Sequence, residues 1–119
     1  MALTTLHPLS EAVVNAYSDA LFGSPGTVAF ARVPFRGKIV KVGVVQSAAV
    51  TGTATVTTAI NGTAVTGGGL SVTGGSADTA FTASPTALNA VAEDDVISFS
   101  PTGATGAGKG HFFAVIRRT

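Results

Sequence analysis

The chain has little charge for its length. Only 11% of its 119 residues are charged, which is less than half of the usual share in globular proteins. Residues 42–77 contain no charged side chain at all. Scarce charge and a mean hydropathy of +0.47 together predict that part of the surface is buried against a protein partner. That partner would be a second copy of the chain or a large assembly; the alternative is a monomer covered by Thr and Ser.

The low charge also bears on two other classes of partner. A formal net charge of +1 gives no electrostatic reason to expect nucleic acid. The charge-free stretch does not predict a membrane span, because a span needs about 20 predominantly apolar residues and Thr51, Thr53 and Thr55 interrupt the apolar positions. The N-terminal sequence lacks the basic and apolar regions of a secretion signal, so we expect synthesis and folding in a cytoplasm.

Cysteine and tryptophan are absent, and histidine and tyrosine are scarce. Without Cys there is neither a disulfide framework nor a thiolate metal site, so cysteine content does not indicate whether the protein works in an oxidising or a reducing compartment. The two histidines, His7 and His111, have no nucleophile or ligand set at a recognisable spacing, so we expect no enzyme activity and no cofactor. Sugar-binding surfaces usually present Trp or Tyr, and their scarcity disfavours a sugar-binding module without excluding it.

What the chain has instead is a pattern typical of short strands. Apolar residues alternate with Thr, Ser and Gly, which places hydroxyl side chains on one face of a sheet and small apolar ones on the other. About eight strands separated by Gly and Pro turns predict an all-β protein, an antiparallel β-sandwich or barrel. The predicted strands cover residues 27–33, 37–46, 53–60, 63–65, 70–73, 77–82, 95–100 and 110–118.

Two of these strands give sharper expectations. Asn61-Gly62 is the favoured pair for a two-residue type I′ hairpin, which would place Ile60 opposite Thr63. In the strand 37–46, simple alternation puts Ile39 on the same, partly wet face as Lys41. The phenylalanines in or beside the strands are interpreted as core residues: Phe30, Phe35, Phe81, Phe99, Phe112 and Phe113.

The N-terminal segment, residues 1–24, differs from the sandwich domain predicted for residues 25–119. Helical spacing of apolar residues after Ser10 favours a short helix over residues 11–21. The alternative is an extended apolar arm that becomes ordered only on a partner. The side chains that would make the arm adhesive are Leu3, Leu6, Pro8 and Leu9.

Two motifs invite a chemical interpretation that their context does not favour. Glu93-Asp94-Asp95 could supply oxygen ligands to Ca²⁺, but the alternate spacing of an EF-hand is missing, so a solvated turn is favoured. The segment 103–110 has the spacing of a phosphate-binding loop. However, Gly110 replaces the Ser or Thr that would bind Mg²⁺, and a strand follows instead of a helix.

Three segments of the β portion are similar to small jelly-roll decoration (cement) proteins on the heads of tailed phages. They are Phe35-Arg36-Gly37-Lys38-Ile39-Val40-Lys41-Val42, Ala59-Ile60-Asn61-Gly62-Thr63-Ala64-Val65 and Pro85-Thr86-Ala87-Leu88-Asn89-Ala90-Val91-Ala92-Glu93-Asp94-Asp95-Val96-Ile97. The similarity covers residues 33–117, and it lies in the kind of residues and the order of the segments more than in an invariant motif. Where such chains often have Gly-Asp before Val-Ile, this chain has Asp94-Asp95.

The resemblance implies a jelly-roll-like sandwich that acts as a virion protein on the outer capsid surface. It would bind the major capsid protein in many copies, as dimers or trimers, and cement adjacent capsomers. The arm residues named above would face the capsid or a neighbouring subunit, and Arg117 and Arg118 would add polar contacts. Two alternatives stay open: a domain associated with a tail or fibre, and a free jelly-roll module that binds a sugar or a lipid.

Overall fold

The computed structural model describes residues 11–18, 28–46, 52–73, 79–103 and 110–119. Its regular elements in these ranges are all strands. None of the described residues forms a helix with the length and apolarity that crossing a membrane requires. The described strands are β1 (Glu11–Ser18), β2 (Ala29–Arg32), β3 (Gly37–Gln46), β4 (Thr53–Ile60), β5 (Thr63–Ala64), β6 (Leu70–Thr73), β7 (Thr79–Ala83), β8 (Ala90–Val91), β9 (Val96–Thr102) and β10 (Gly110–Arg118).

The strands form two antiparallel sheets that pack face to face. Sheet A has the order β1-β10-β3-β7, and β8 pairs with the first residues of β3. Sheet B has the order β2-β9-β4-β5, and β6 pairs with the first half of β4. The all-β, antiparallel, jelly-roll-like sandwich predicted from the sequence is therefore confirmed, with two more strands than expected.

The core lies between the sheets and follows from the period of two within each strand. In β10, Phe112, Ala114 and Ile116 point inward and are fully buried, whereas the residues between them are half-buried. In β4, Ala54 and Val56 point inward between exposed threonines. Phe112 of sheet A stacks on Phe99 of sheet B, with ring centroids 4.9 Å apart and planes within 7° of parallel. This pair joins the two sheets at the centre of the core.

The hairpin between β4 and β5 has the predicted geometry. Ile60 pairs with Thr63, and the two turn residues have positive φ angles, 49° at Asn61 and 89° at Gly62. Both angles are what a type I′ turn requires, and Asn and Gly are the residues that adopt them at least cost. Next to the turn, the amide of Val65 donates to the carbonyl of Thr58.

The helix predicted over residues 11–21 is wrong for the described part of that segment. Residues 11–18 form strand β1, all eight of which pair with β10. The inward side chains are Ala12, Val14 and Ala16, so the period is two and not helical. The available edge of β10 outweighs the weak helical propensity of Val, Asn, Tyr and Ser. β1 thus lies within sheet A, and the division of the chain at residue 24 stays a prediction for the remaining N-terminal residues.

Two further sequence interpretations need correction. Phe30 is 64% exposed and Phe113 lies on the outer face of sheet A, so neither is a core residue. Ile39 is fully buried and does not share the face of Lys41. The reason is a bulge: β10 passes directly from Val115 to Ile116 while β3 passes from Lys41 to Ile39, so that Val40 has no partner.

Candidate binding surfaces

The outer face of sheet A, which we call the β10 face, is built from four rows of side chains. Each row crosses the sheet through residues that pair in register. Charged side chains lie in the first two rows, and the exposed valines and Phe113 lie in the second to the fourth. The rows are Ala90–Lys38–Arg117–Glu11, Lys41–Val115–Val13, Thr82–Gly43–Phe113–Asn15, and Ala80–Val45–His111.

The ring of Phe113 lies over Gly43 in the third row. A Cβ atom on Gly43 would stand 2.3 Å from Cζ of Phe113, which shows that the ring covers the glycine. Around the ring are exposed apolar side chains: Val13 is 57% exposed and Val45 is 37% exposed. The middle of the β10 face is therefore an apolar platform with an aromatic ring at its centre.

A polar pair borders the platform. Nε2 of His111 lies 2.8 Å from Oδ1 of Asn15, so the imidazole and the amide share a hydrogen bond across β10 and β1. The Asn15 carbonyl oxygen can only accept, so Nε2 carries the hydrogen in this bond. The bond links the third and fourth rows of the face, because Asn15 pairs with Phe113 and His111 lies in the next row.

The charged end of the face carries more cations than anions. Nη2 of Arg117 lies 2.6 Å from Oε2 of Glu11, which forms the only ion pair among the described residues of this face. Lys38 and Lys41 have no hydrogen bond or ion pair with any described residue. We call Lys38, Lys41 and Arg117 the basic corner. Next to it, the guanidinium of Arg118 lies 4.1 Å from the ring centroid of Phe35 in a cation–π contact.

On the opposite outer face, strands β4, β6 and β9 of sheet B form a neutral layer of hydroxyl groups, and the exposed Arg32 of β2 lies outside this layer. Residues in register on β4, β6 and β9 present Ser or Thr side by side. We call this layer the hydroxyl face; it consists of Thr53, Thr55, Thr57, Ser71, Thr73, Ser98, Ser100 and Thr102. It contains no charged residue, and the exposed ring of Phe30 stands at its edge, opposite Ser98. The predicted split of hydroxyl and small apolar side chains between the two sides of the sheet is confirmed.

The acidic turn predicted between β8 and β9 is present, and two of its carboxylates accept hydrogen bonds from other residues of the chain. Oδ2 of Asp95 accepts from the amide of Ala92 at 2.8 Å, and its Oδ1 accepts from Nδ2 of Asn61 at 3.0 Å. The Ala92 amide and then the Asn61 amide hold the pKa of Asp95 below its ordinary value. Asp94 accepts from Nε of Arg32 at 2.6 Å. The turn therefore fastens the β4–β5 hairpin and the end of β2 to the start of β9.

These bonds also decide how well the turn fits a metal ion. Both carboxylate oxygens of Asp95 are engaged by N–H donors, and Asp94 is paired with a guanidinium. Within the described ranges, no group of three or more His, Asp or Glu side chains converges on a common point. The donor set of the acidic turn does not suit Ca²⁺, which takes six to eight oxygen ligands.

The structure places the site residues predicted from sequence in two groups. Leu3, Leu6, Pro8 and Leu9 lie outside the described residues. Arg117 and Arg118 are both exposed at the end of β10, one in the basic corner and the other beside it. The platform around Phe113 was not predicted from the sequence. The sequence signal for it is that His111, Phe113 and Val115 are alternate residues of one strand, but this signal can be used only when it is known which side of β10 faces outward.

No protein-family model matches the chain, and no curated protein matches it. The solved structures that are similar in fold include two carbohydrate-binding modules. The carbohydrate-binding module CBM36 in complex with calcium and xylotriose has a TM-score of 0.55 and 18% identity, over 90% of this chain and 99% of that one. The CBM36-1 domain of a multidomain xylanase from the hindgut metagenome of Trinervitermes trinervoides has a TM-score of 0.56 and 15% identity, over 88% and 94%. Identities this low concern the fold alone.

Proposed function

We propose that the chain is a non-catalytic virion protein that binds the outer surface of a phage capsid and cements adjacent capsomers. The observation that carries the proposal is that apolar side chains are exposed on both outer faces of one small sandwich. Val13 and Val45 are exposed on the β10 face, and Phe30 is exposed beside the hydroxyl face. Exposed apolar patches on soluble proteins mark contact surfaces, and two opposite surfaces suit a protein that lies between two neighbours.

The chemistry of the described surface supports a role in contact and not in catalysis. The hydroxyl face has no charged group, and on the β10 face His111 is hydrogen-bonded to Asn15. A capsid offers many equivalent sites, so that weak contacts of linked subunits add up through avidity. We propose the major capsid protein and further copies of this chain as the partners, with the assembly on the outside of the virion.

Copy number in purified particles tests this proposal first. Quantitative peptide mass spectrometry of particles from the source would give the ratio of this chain to the major shell protein. A ratio of the same order supports a cement protein. A trace amount favours a tail or fibre domain, and complete absence from particles refutes the virion role.

The predicted arm has its own test. Deleting residues 1–9 should abolish capsid binding, whereas the sandwich stays folded because β1 begins at Glu11. A matched control replaces Leu3, Leu6 and Leu9 by Ser, which preserves the length of the arm and removes its apolar groups. We expect both variants to lose binding with unchanged urea unfolding. Full binding by the deletion variant would contradict the role of the arm.

Carbohydrate binding is the second candidate, and the fold comparisons support it better than they support the capsid role, because both similar structures described above are carbohydrate-binding modules. On the β10 face, the Phe113 ring beside the hydrogen-bonded Asn15 and His111 provides an aromatic surface with polar groups at its border. Depletion of the protein from solution by insoluble xylan, and loss of that depletion in Phe113→Ala, would support this candidate. Phe30→Ala, on the opposite face, is the control. Equal depletion of both variants, or none of the wild type, would refute it.

A further inference from the structure

The charged residues of the described chain are all gathered toward one end of the sandwich. That end holds the start of β3, the end of β10 and the turn between β8 and β9. The described residues in the far half of sheet A, from Val42 to Gln46 on β3 and from Gly110 to Ala114 on β10, include no Asp, Glu, Lys or Arg. The charged residues are Glu11, Arg32, Arg36, Lys38, Lys41, Glu93, Asp94, Asp95, Arg117 and Arg118.

At this end, the charges are distributed unequally between the two sheets. On the sheet B side, the positive charge of Arg32 is balanced by its ion pair with Asp94. On the sheet A side, Glu11 is the only carboxylate in the described rows of the β10 face, and it faces Arg117. Lys38 and Lys41 are left with uncompensated positive charge beside the apolar platform.

The bulge at Val40 creates this arrangement. Lys38 and Lys41 are three residues apart, and simple alternation would put them on opposite faces. Because β3 has one extra residue at this point, Lys41 lies in the row of Val115 and Lys38 in the row of Arg117, both on the β10 face. Two free ammonium groups are thus brought to the same face, in adjacent rows of side chains.

We infer that the β10 face binds an acidic protein segment of its partner, whose carboxylates contact the basic corner and whose apolar residues lie on the platform. Charge complementarity identifies this occupant, since the corner carries excess positive charge and the adjoining rows are apolar. A nucleic acid fits less well, because its regularly spaced phosphates would find no cation on the rows beyond Lys41. The inference rests on the proposed function and adds the chemistry of the contact.

The first test uses a probe that does not depend on the virion. Fluorescein-labelled poly-L-glutamate is titrated with the full chain at about 0.05 M and about 0.3 M salt, and anisotropy is recorded; a short DNA duplex is titrated in parallel. Lys41→Gln and Arg32→Gln form a matched pair, because each removes one positive charge from the chain and only Lys41 lies on the β10 face. The double variant Lys38→Gln with Lys41→Gln removes both free ammonium groups.

We expect poly-L-glutamate to bind more weakly at high salt, with a loss of about 2- to 5-fold for Lys41→Gln, about tenfold for the double variant and none for Arg32→Gln. Equal losses in Lys41→Gln and Arg32→Gln, absence of binding to poly-L-glutamate, or tighter binding of the DNA would each overturn the inference. Failure here is distinct from failure of the proposed function, because the copy number in particles is measured separately.

A second test applies to reassembly on stripped particles and separates the two parts of the face. Charges at the rim of an interface act mainly on the association rate, whereas buried apolar contacts act on dissociation. The double lysine variant should therefore associate more slowly at low salt, and Phe113→Ala should dissociate faster. The same rate constants for both variants as for the wild type would overturn the assignment of the β10 face.

Discussion

The stacked pair of Phe99 and Phe112 gives the sharpest test of the fold. Replacing Phe112 by Ala removes a fully buried ring from the centre of the core, where it lies 4.9 Å from the ring of Phe99. Removing a buried Phe ring costs about 3–5 kcal/mol, as lost transfer free energy and as the cavity left behind. The free energy of unfolding of a domain is about 5–15 kcal/mol, so the variant should be close to the limit of stability.

Adjacent Phe113 is the matched control, since it has the same side chain on the same strand but lies on the outer face. Phe113→Ala should cost less than about 2 kcal/mol, because its ring is half-buried and leaves no closed cavity. Urea unfolding followed by circular dichroism measures both variants. Phe112→Leu, expected to cost about 1–2 kcal/mol, retains a measurable transition if Phe112→Ala does not fold.

The order of the three variants by their loss in free energy of unfolding tests the assignment of the two rings. If Phe112→Ala costs less than about 1.5 kcal/mol, or no more than Phe113→Ala, the two rings do not occupy the core and outer positions described. A thermal scan gives an independent check, since a loss of about 3–5 kcal/mol corresponds to a drop in Tm of roughly 10–20 °C for a domain of this size.

Three further predictions follow from the turns and the β10 face. Gly43→Ala should move the Phe113 ring, because the new Cβ would stand 2.3 Å from Cζ; unchanged aromatic NMR shifts of Phe113 would contradict this. Gly62→Ala should lower the free energy of unfolding by about 1–2 kcal/mol, because φ is 89° there, and equal urea midpoints would speak against the turn type. Because the pKa of Asp95 is lowered in the folded state, its carboxylate stabilises the protein above pH 4 or so, and that stabilisation is lost as the pH falls through the folded-state pKa. Asp95→Asn should therefore be less stable than the wild type at pH 7 and approach it at low pH, and a difference independent of pH would count against the two N–H bonds.

Local chemistry determined much of the sandwich. The bounds of β4 and β6 follow from alternation flanked by Gly or Asn-Gly, and the first residue of β3 and of β10 is a Gly, because side-chain period and turn preference act within a few residues. The Asn61-Gly62 turn is predictable for the same reason, since positive φ at two successive positions selects these residues. The hydroxyl face is implied by Thr53, Thr55 and Thr57 alone.

Contacts between distant residues decided the rest. Residues 11–18 are ambiguous as an isolated segment and become a strand because β10 offers them a hydrogen-bonding edge. The outward position of Phe113 is a property of the whole sheet, since nothing local distinguishes it from Phe112. Lys38 and Lys41 share a face only because of the bulge where β3 pairs with β10. The sequence alone thus determined most of the strands of the sandwich, but not β1, through local sterics and periodicity. The tertiary structure decided which side chains form a common surface, because a row across a sheet joins residues that are up to 106 positions apart.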